Sequence, residues 1–390
     1  MITELHLSHY KSVTEQTIPL GQVNIFVGKN GSGKSNIIDA ISFMSDIAVY
    51  DLDYAVTKRH GADSIRQWSK YRPYHTTVAV KVKNKYGEGS YSITFSSSRN
   101  SYRIQEEVIS WNGEIVFSDD RQFMTLKRDS DSKVTIDTDY QADDLDPNDL
   151  KVDSGDSVLA RLNASYHDAN DVLGYVIREL RSFATFTIFP NTIRAPQTVS
   201  RAAELESDGK NIASIIKQMT GDKKRSRDRL IKALKVVLPE LTGISIRSTA
   251  GYYVPVFSVA DNTGEVHELN MSQISDGTLR MLGILTALHQ PSAPLKIGLE
   301  EPEQMIHPAL LIIVRDAVLE YVRRRKEGQI FVTTHSSVLM DLFDVNDVIA
   351  VEYRDGATRC GRVSRRQAKV VKTGLMSLGD LMLAEDLEIA

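Results

Sequence analysis

Residues 28–35 read Gly-Lys-Asn-Gly-Ser-Gly-Lys-Ser, directly after the apolar run Val23-Asn24-Ile25-Phe26-Val27 and directly before a segment with Ile37, Ile38, Ile41 and Met44 at helical spacing. The order is strand, glycine loop, helix. Glycines in such a loop let consecutive backbone N–H groups turn inward at a helix N-terminus, where the dipole also favours negative charge. The pattern GxxxxGK[ST] is therefore a cradle for phosphates, formed here by Gly28, Asn30, Gly31 and Gly33. Lys34 is placed to pair with β- and γ-phosphates, and the Ser35 hydroxyl to bind Mg²⁺. A glycine turn with an accidental Lys and Ser is the bland alternative, and the flanking strand and helix argue against it.

The rest of the chain divides by pattern. Short strands are expected at 2–9, 16–20 and 23–27, and a helix at 35–45. From about 75 to 140 the pattern is one of β-hairpins, with turns expected at Tyr86-Gly87-Glu88-Gly89 and at Asn112-Gly113. Residues 142–156 are acidic and weakly apolar, which reads as a mobile loop and a boundary. Helix is expected over 157–182, a strand over 183–189, two helices around Gly221 within 210–239, and hairpins near 244–268. After that, helix and strand alternate: helices at 276–289, 308–327 and 336–343, and strands at 295–299, 330–334 and 347–352. Such alternation argues for an α/β protein with a parallel sheet covered by helices. Four regions follow: 1–50 with the glycine loop, a β-rich insertion at 51–156, a helical segment with a return strand at 157–245, and a C-terminal lobe at 246–390.

A phosphate cradle that does chemistry also needs an acid at the end of a second parallel strand, and Leu295-Lys296-Ile297-Gly298-Leu299-Glu300-Glu301 supplies one. Glu300 is the expected Mg²⁺ ligand, directly or through water. Glu301 points elsewhere and is suited to orient or deprotonate an attacking water. The competing reading is an exposed acidic turn shaped by Pro302. A third apolar strand, Ile330 to Thr334, ends in His335. If it lies beside the strand bearing Glu300, His335 stands at the carboxyl edge of the sheet, where open α/β sheets bind ligands. A helix cap or surface histidine is the alternative.

The succession of P-loop, Ile274-Ser275-Asp276-Gly277-Thr278, Leu299-Glu300-Glu301-Pro302-Glu303 and Thr333-Thr334-His335 resembles the ABC-type ATPases. Within them it is similar to the RecF/OLD-like branch, also called AAA15 or AAA_21, especially its stand-alone members. Tyr10-Lys11-Ser12 and Ile306-His307-Pro308 look like that branch too. The likeness rests on the first 50 residues and on roughly 270–345. It implies an ABC-type head, with a mixed or parallel sheet flanked by helices and an antiparallel β-rich lobe. It also implies an ATPase using ATP and Mg²⁺, with Ser275 and Gly277 as a signature loop contacting the γ-phosphate held by a second subunit. An ordinary Ser or Asp helix cap is the plain reading of the same residues. Asp276 stands where a glycine is usual, and Glu300 where Asp is more frequent. Gln67 is only a weak candidate for the magnesium-sensing glutamine of ABC proteins. No Asn-Lys-x-Asp element occurs, which favours ATP over GTP.

Composition narrows the partners. With 47 basic and 51 acidic residues the net charge is −4, so nucleic acid would have to be met by a local patch. The candidates are Lys223 to Arg229, Arg323 to Lys326, and the run from Arg359 to Lys372. No apolar stretch reaches the roughly 18 residues of a membrane span. With no signal peptide and a lone cysteine, Cys360, a cytoplasmic protein is expected. Residues 336–390 are too few for the Toprim nuclease that OLD-like relatives carry. The expectation is an ATP-sandwich dimer or higher oligomer that acts through a separate nuclease or toxin in bacterial anti-phage defence. A RecF-like ATPase clamping DNA is the alternative, with the nucleotide-binding subunit of a transporter behind it.

Overall fold

Val23–Val27 is buried at every position, as a strand must be when both faces of its sheet are covered. The computed structural model describes residues 1–68, 75–98, 101–115, 118–138, 153, 155–165 and 173–390. Within it Val23–Val27 lies inside a six-stranded sheet. The order is Ala357–Arg362, Val348–Arg354, Val23–Val27, Gln329–Thr334, Lys296–Glu300, Phe183–Phe186. All neighbours are parallel except the edge hairpin formed by the first two. The register sets Thr334 opposite Val27 and Glu300 opposite Thr333. Three strand ends, those leading to Gly28, Glu301 and His335, therefore share one edge.

Alternation along these strands feeds two cores. Phe26 and Phe331 point to the side of helix Lys34–Val49, where they join Ile37, Ile41 and Phe43. Val23, Ile25, Val27, Ile330 and Val332 point to the other side, against helices Asp276–His289 and Leu311–Arg324. The period of two in the strands thus meets a helix on each face.

A second sheet has seven antiparallel strands in the order Val13–Pro19, Ile2–Tyr10, Thr76–Lys83, Gly87–Ser98, Ser101–Ile115, Ser118–Arg128, Val134–Thr138. The hairpins of 75–138 continue the sheet that the N-terminal hairpin begins. Asn112-Gly113 is not a turn; it lies within Ser101–Ile115, and Gly113 faces Gly87 across the ladder. A Cβ on Gly113 would run into the Tyr86 carbonyl, so this glycine marks a close approach of two strands. The strand expected at 183–189 stops at Phe186, because Thr187 N–H donates to Ser207 O and Pro190 opens the helix Pro190–Arg194. A smaller sheet of Leu241–Thr249, Tyr252–Ala260, Val266–Asn270 and Gln197–Thr198 fits the hairpins expected near 244–268. Helices Val158–Ser165 and Gly174–Arg181 fall in the span 157–182, with 166–172 outside the described residues. Most of the acidic stretch, 142–152 and 154, is also outside them.

Two buried polar contacts fasten the six-stranded sheet to its neighbours, one to the second sheet and one to helix Gly174–Arg181. The Gln329 amide donates to Ile2 O (2.7 Å) and Gly21 O (2.8 Å), and its oxygen accepts from Ile2 N–H at 2.6 Å. Lys296 Nζ meets Glu179 Oε2 at 2.7 Å, with both side chains fully shielded. Burial above all pulls Lys296 below its ordinary value, and Glu179 opposes that shift. Removing one partner of such a pair leaves a charge in a low-dielectric interior. Glu179→Ala is expected to cost about 3–5 kcal/mol, read from the urea unfolding midpoint. A loss below about 1 kcal/mol would mean that Lys296 finds solvent or another partner.

Candidate functional site

The glycine loop is shaped by its own lysine. Lys34, 5% exposed, donates from Nζ to Gly28 O (2.8 Å) and Lys29 O (2.9 Å), closing the loop across its mouth. Burial lowers the Lys34 ammonium from its ordinary value, while Glu301 and Glu303 pull it back up. Gly33 stands at the helix N-cap with φ +101°, in the left-handed region that favours glycine. Outside the loop, Thr358 Oγ1 donates to Ser32 O (2.9 Å) and meets Ser12 Oγ at 2.7 Å, and Asn36 Nδ2 donates to the same Ser12 oxygen at 2.7 Å. The loop is therefore clamped from both sheets. Ser12 and Thr358 carry no pattern that sequence reasoning about the loop would have singled out for this contact.

A cavity of about 360 Å³ opens at the loop, lined by Ser12, Asn30, Gly31, Gly33, Lys34, Ser35, Asn36 and Glu301. Gly28 lies behind it, lining a second cavity of about 460 Å³ against residues 350–354. Glu301 comes into the first cavity through an uncommon backbone, φ +43°, with its N–H donating to Thr333 O at 2.9 Å. Its carboxylate accepts from Gln304 Nε2 and stands 3.6 Å from His335 Nδ1. His335 Nδ1 is also 3.5 Å from Glu303 Oε1. That oxygen accepts from Thr334 Oγ1 (2.6 Å) and from the His335 backbone N–H (3.1 Å). Glu303 is the residue that sequence reasoning missed. Its only signal was its place in Glu-Glu-Pro-Glu.

Glu300 sits one step behind. Burial raises its carboxyl above the ordinary Glu value, hydrogen bonding with the Ser35 hydroxyl works the other way, and the Asp39 and Glu301 charges add to the rise. Ser35 lines the loop cavity, while Glu300, close enough to feel the Ser35 hydroxyl, lines a separate one with Asp39 and Arg59. An oxygen donor set crowded by three carboxylates fits a hard divalent cation. Asp39 is itself held below the ordinary Asp range: burial pushes it up, but Arg59 at 2.8 Å and Lys11 at 2.5 Å outweigh that. Tyr10 also donates to Asp39, at 2.7 Å.

Ser275 and Gly277 stand apart. Ser275 is an N-cap, its Oγ accepting from Thr278 N–H at 3.2 Å, and neither residue lines the loop cavity. The extra charge of Asp276 is met by Arg194 Nη2 at 2.5 Å. Gln67 donates to Thr14 Oγ1 and does not line that cavity either.

Residues 23–341 match the model of the family described as "AAA domain, putative AbiEii toxin, Type IV TA system", AAA_21. The chain belongs to the AAA_21 family. Among solved structures it is similar to the Smc head domain with an extended coiled coil, bound to the C-terminal domain of ScpA and derived from Pyrococcus furiosus. The identity is 13% and the TM-score 0.50, over 96% of this chain and 99% of that one. The SMC head domain from Thermotoga maritima is similar at 13% identity and a TM-score of 0.46, over 93% and 99% of the two chains. No curated protein matches in sequence. The family and the shared α/β fold support an ABC-type P-loop ATPase head with a nucleotide-binding function. Among the described residues no helix is long and apolar enough to cross a membrane.

The basic clusters separate in the fold. Arg359 is paired with Asp355, and Arg366 with Glu385 and Glu388. Arg323 and Arg324 close a helix, where cations complement the dipole. Lys223, Lys224 and Arg225 are exposed.

Proposed function

We propose that this AAA_21 chain hydrolyses ATP and uses the cycle as a switch, two heads closing on shared ATP and reopening after hydrolysis. The observation that carries the reading is the Glu301 carboxylate, which lines the same cavity as Lys34 and Ser35 and stands 3.6 Å from His335 Nδ1. Phosphates would replace the Gly28 and Lys29 carbonyls as partners of Lys34. Glu301 orients or deprotonates the attacking water, and His335 reaches the γ-phosphate. Mg²⁺, held by Ser35 and Glu300, would supply neutralisation of phosphate charge.

The dimer reading is supported by the place of Ser275 and Gly277 away from the loop cavity of their own chain. Ser275 and Gly277 contribute none of its lining, so their hydroxyl and N–H groups are assigned to the partner's ATP. ATP shared in this way stabilises the closed dimer by linkage. Mixing tests it. A Lys34→Ala chain and a Ser275→Arg chain, each inactive alone, are expected to regain turnover when combined, since one of two sites then has both intact halves. No recovery, with mixed dimers demonstrated, would mean that each chain completes its own site.

The four regions drawn from the sequence, a cytoplasmic setting and control of a separate nuclease or toxin in anti-phage defence belong to this proposal. The family's description names a putative toxin of a type IV toxin–antitoxin system and no separate effector. The exposed Lys223, Lys224 and Arg225 favour the second reading, an ATPase that clamps DNA. It predicts DNA-stimulated turnover that falls steeply with salt.

A further inference from the structure

Helix Asp276–His289, which begins at Ser275, carries one buried charge that the site above does not use. Arg280 is 2% exposed. Its Nη2 donates to Glu301 O at 2.9 Å and to Glu300 O at 3.4 Å, the two carbonyls that end the acidic strand. Its Nε and Nη1 are buried with no partner among the described residues. Phe189 covers the guanidinium, with the ring centre 5.7 Å away. A guanidinium offers five N–H donors, and leaving buried ones unused is costly.

A complementary group lies on the next segment. Glu303, its side chain 8% exposed, has Oε1 engaged by Thr334 and His335, while its Oε2 is buried without a donor. Burial lowers Arg280 from its ordinary value, and Glu303 is the largest charge opposing that shift. The two charges feel each other, although no ion pair joins them. Closer to the helix start, a Cβ on Gly277 would stand 2.9 Å from Met305 O. The first turns of this helix therefore touch the 300–305 segment twice, at Gly277 and at Arg280.

We propose that Arg280 and Glu303 are a positioning pair for hydrolysis. Arg280 fixes the turn that aims Glu301, and Glu303 is the counter-ion it takes when nucleotide shifts the signature helix. The pair carries the state of the Ser275 loop to Glu301 and His335 at the strand ends. This role rests on the ATPase reading above.

Steady-state turnover and binding of a fluorescent ATP analogue in Arg280→Gln, Arg280→Lys, Glu303→Gln and the double Gln variant test it. Arg280→Gln is expected to lower kcat about 100-fold with KM and analogue binding within about threefold, the pattern of a lost transition-state interaction. Arg280→Lys should recover part of this, since an ammonium reaches a carbonyl or a carboxylate but lacks the fork. The double variant should be no more than about twofold worse than the weaker single, because coupled residues do not add. Should the Gln variant fail to fold, the Lys variant decides, with a loss of about tenfold in kcat at unchanged binding expected. Parental kcat in either Arg280 variant, binding that falls in step with kcat, or losses that multiply in the double variant would overturn the pair while leaving the ATPase intact. A parental chain that binds ATP and releases no phosphate removes the ATPase reading and this role with it.

Discussion

In the Glu301→Gln chain, ATP turnover is expected to fall by about 10²–10⁴-fold while ATP binding persists. Glutamine keeps the shape of the side chain and can still accept from Gln304, but it cannot take a proton or carry the charge that faces His335 at 3.6 Å. On the proposed reading binding survives because Lys34 and the loop N–H groups, which would hold the phosphates, stay in place, although Lys34 loses the raising charge of Glu301. The left-handed backbone at Glu301, φ +43°, is retained through Thr333 O, so the glutamine points into the same cavity. Phosphate release and equilibrium nucleotide titration read the two effects separately. With ATP uncleaved, the chain should also accumulate as the closed dimer, seen as an ATP-dependent rise in sedimentation coefficient. Turnover within threefold of the parent would exclude Glu301 as the general base.

How much of this was legible beforehand depends on whether a residue's surroundings are local in sequence. The loop, its strand and its helix lie within one stretch of about 25 residues, and their periodicities announced them. Glu300, Glu301 and His335 were readable because each follows a short apolar run, and a parallel sheet places such run ends on one edge. Asn112-Gly113 was misread because a glycine that permits close strand approach looks, in sequence, like one that permits a turn. Ser12, Thr358 and Glu303 were harder still. The Ser12–Thr358 contact spans 346 positions and is fixed by sheet pairing alone. Arg280 stands in the apolar run Leu279 to Leu282, and its burial beneath Phe189 is visible only in the fold. Signature residues pose the opposite problem, since a helix N-cap and a phosphate contact demand the same Ser and Gly.

Gly33→Ala tests whether the clamp around the loop, and not the lysine alone, creates the phosphate cradle. The substitution meets two obstacles. At φ +101° an alanine is strained by about 1–2 kcal/mol wherever it has room. Here it has none, since its Cβ would collide with Thr358 Oγ1 and lie 3.0 Å from Ser12 Oγ. Thr358 cannot step aside freely, because it holds Ser32 O and Ser12 at 2.9 and 2.7 Å, and Ser12 also takes the Asn36 amide. The loop must therefore move, carrying its N–H groups away from the positions that converge on phosphate. Several charge-assisted N–H bonds to phosphate, each worth about 1.5–3 kcal/mol, would weaken together. Nucleotide affinity is expected to drop by about 100-fold, with a lowered melting temperature. Adding Thr358→Ala removes the collision but not the backbone strain, and it also releases Ser32 O, so recovery should be partial at best. Gly33→Ala binding ATP at parental affinity would show that the loop yields without loss, and that Lys34 with the helix N-terminus suffices to hold the phosphates.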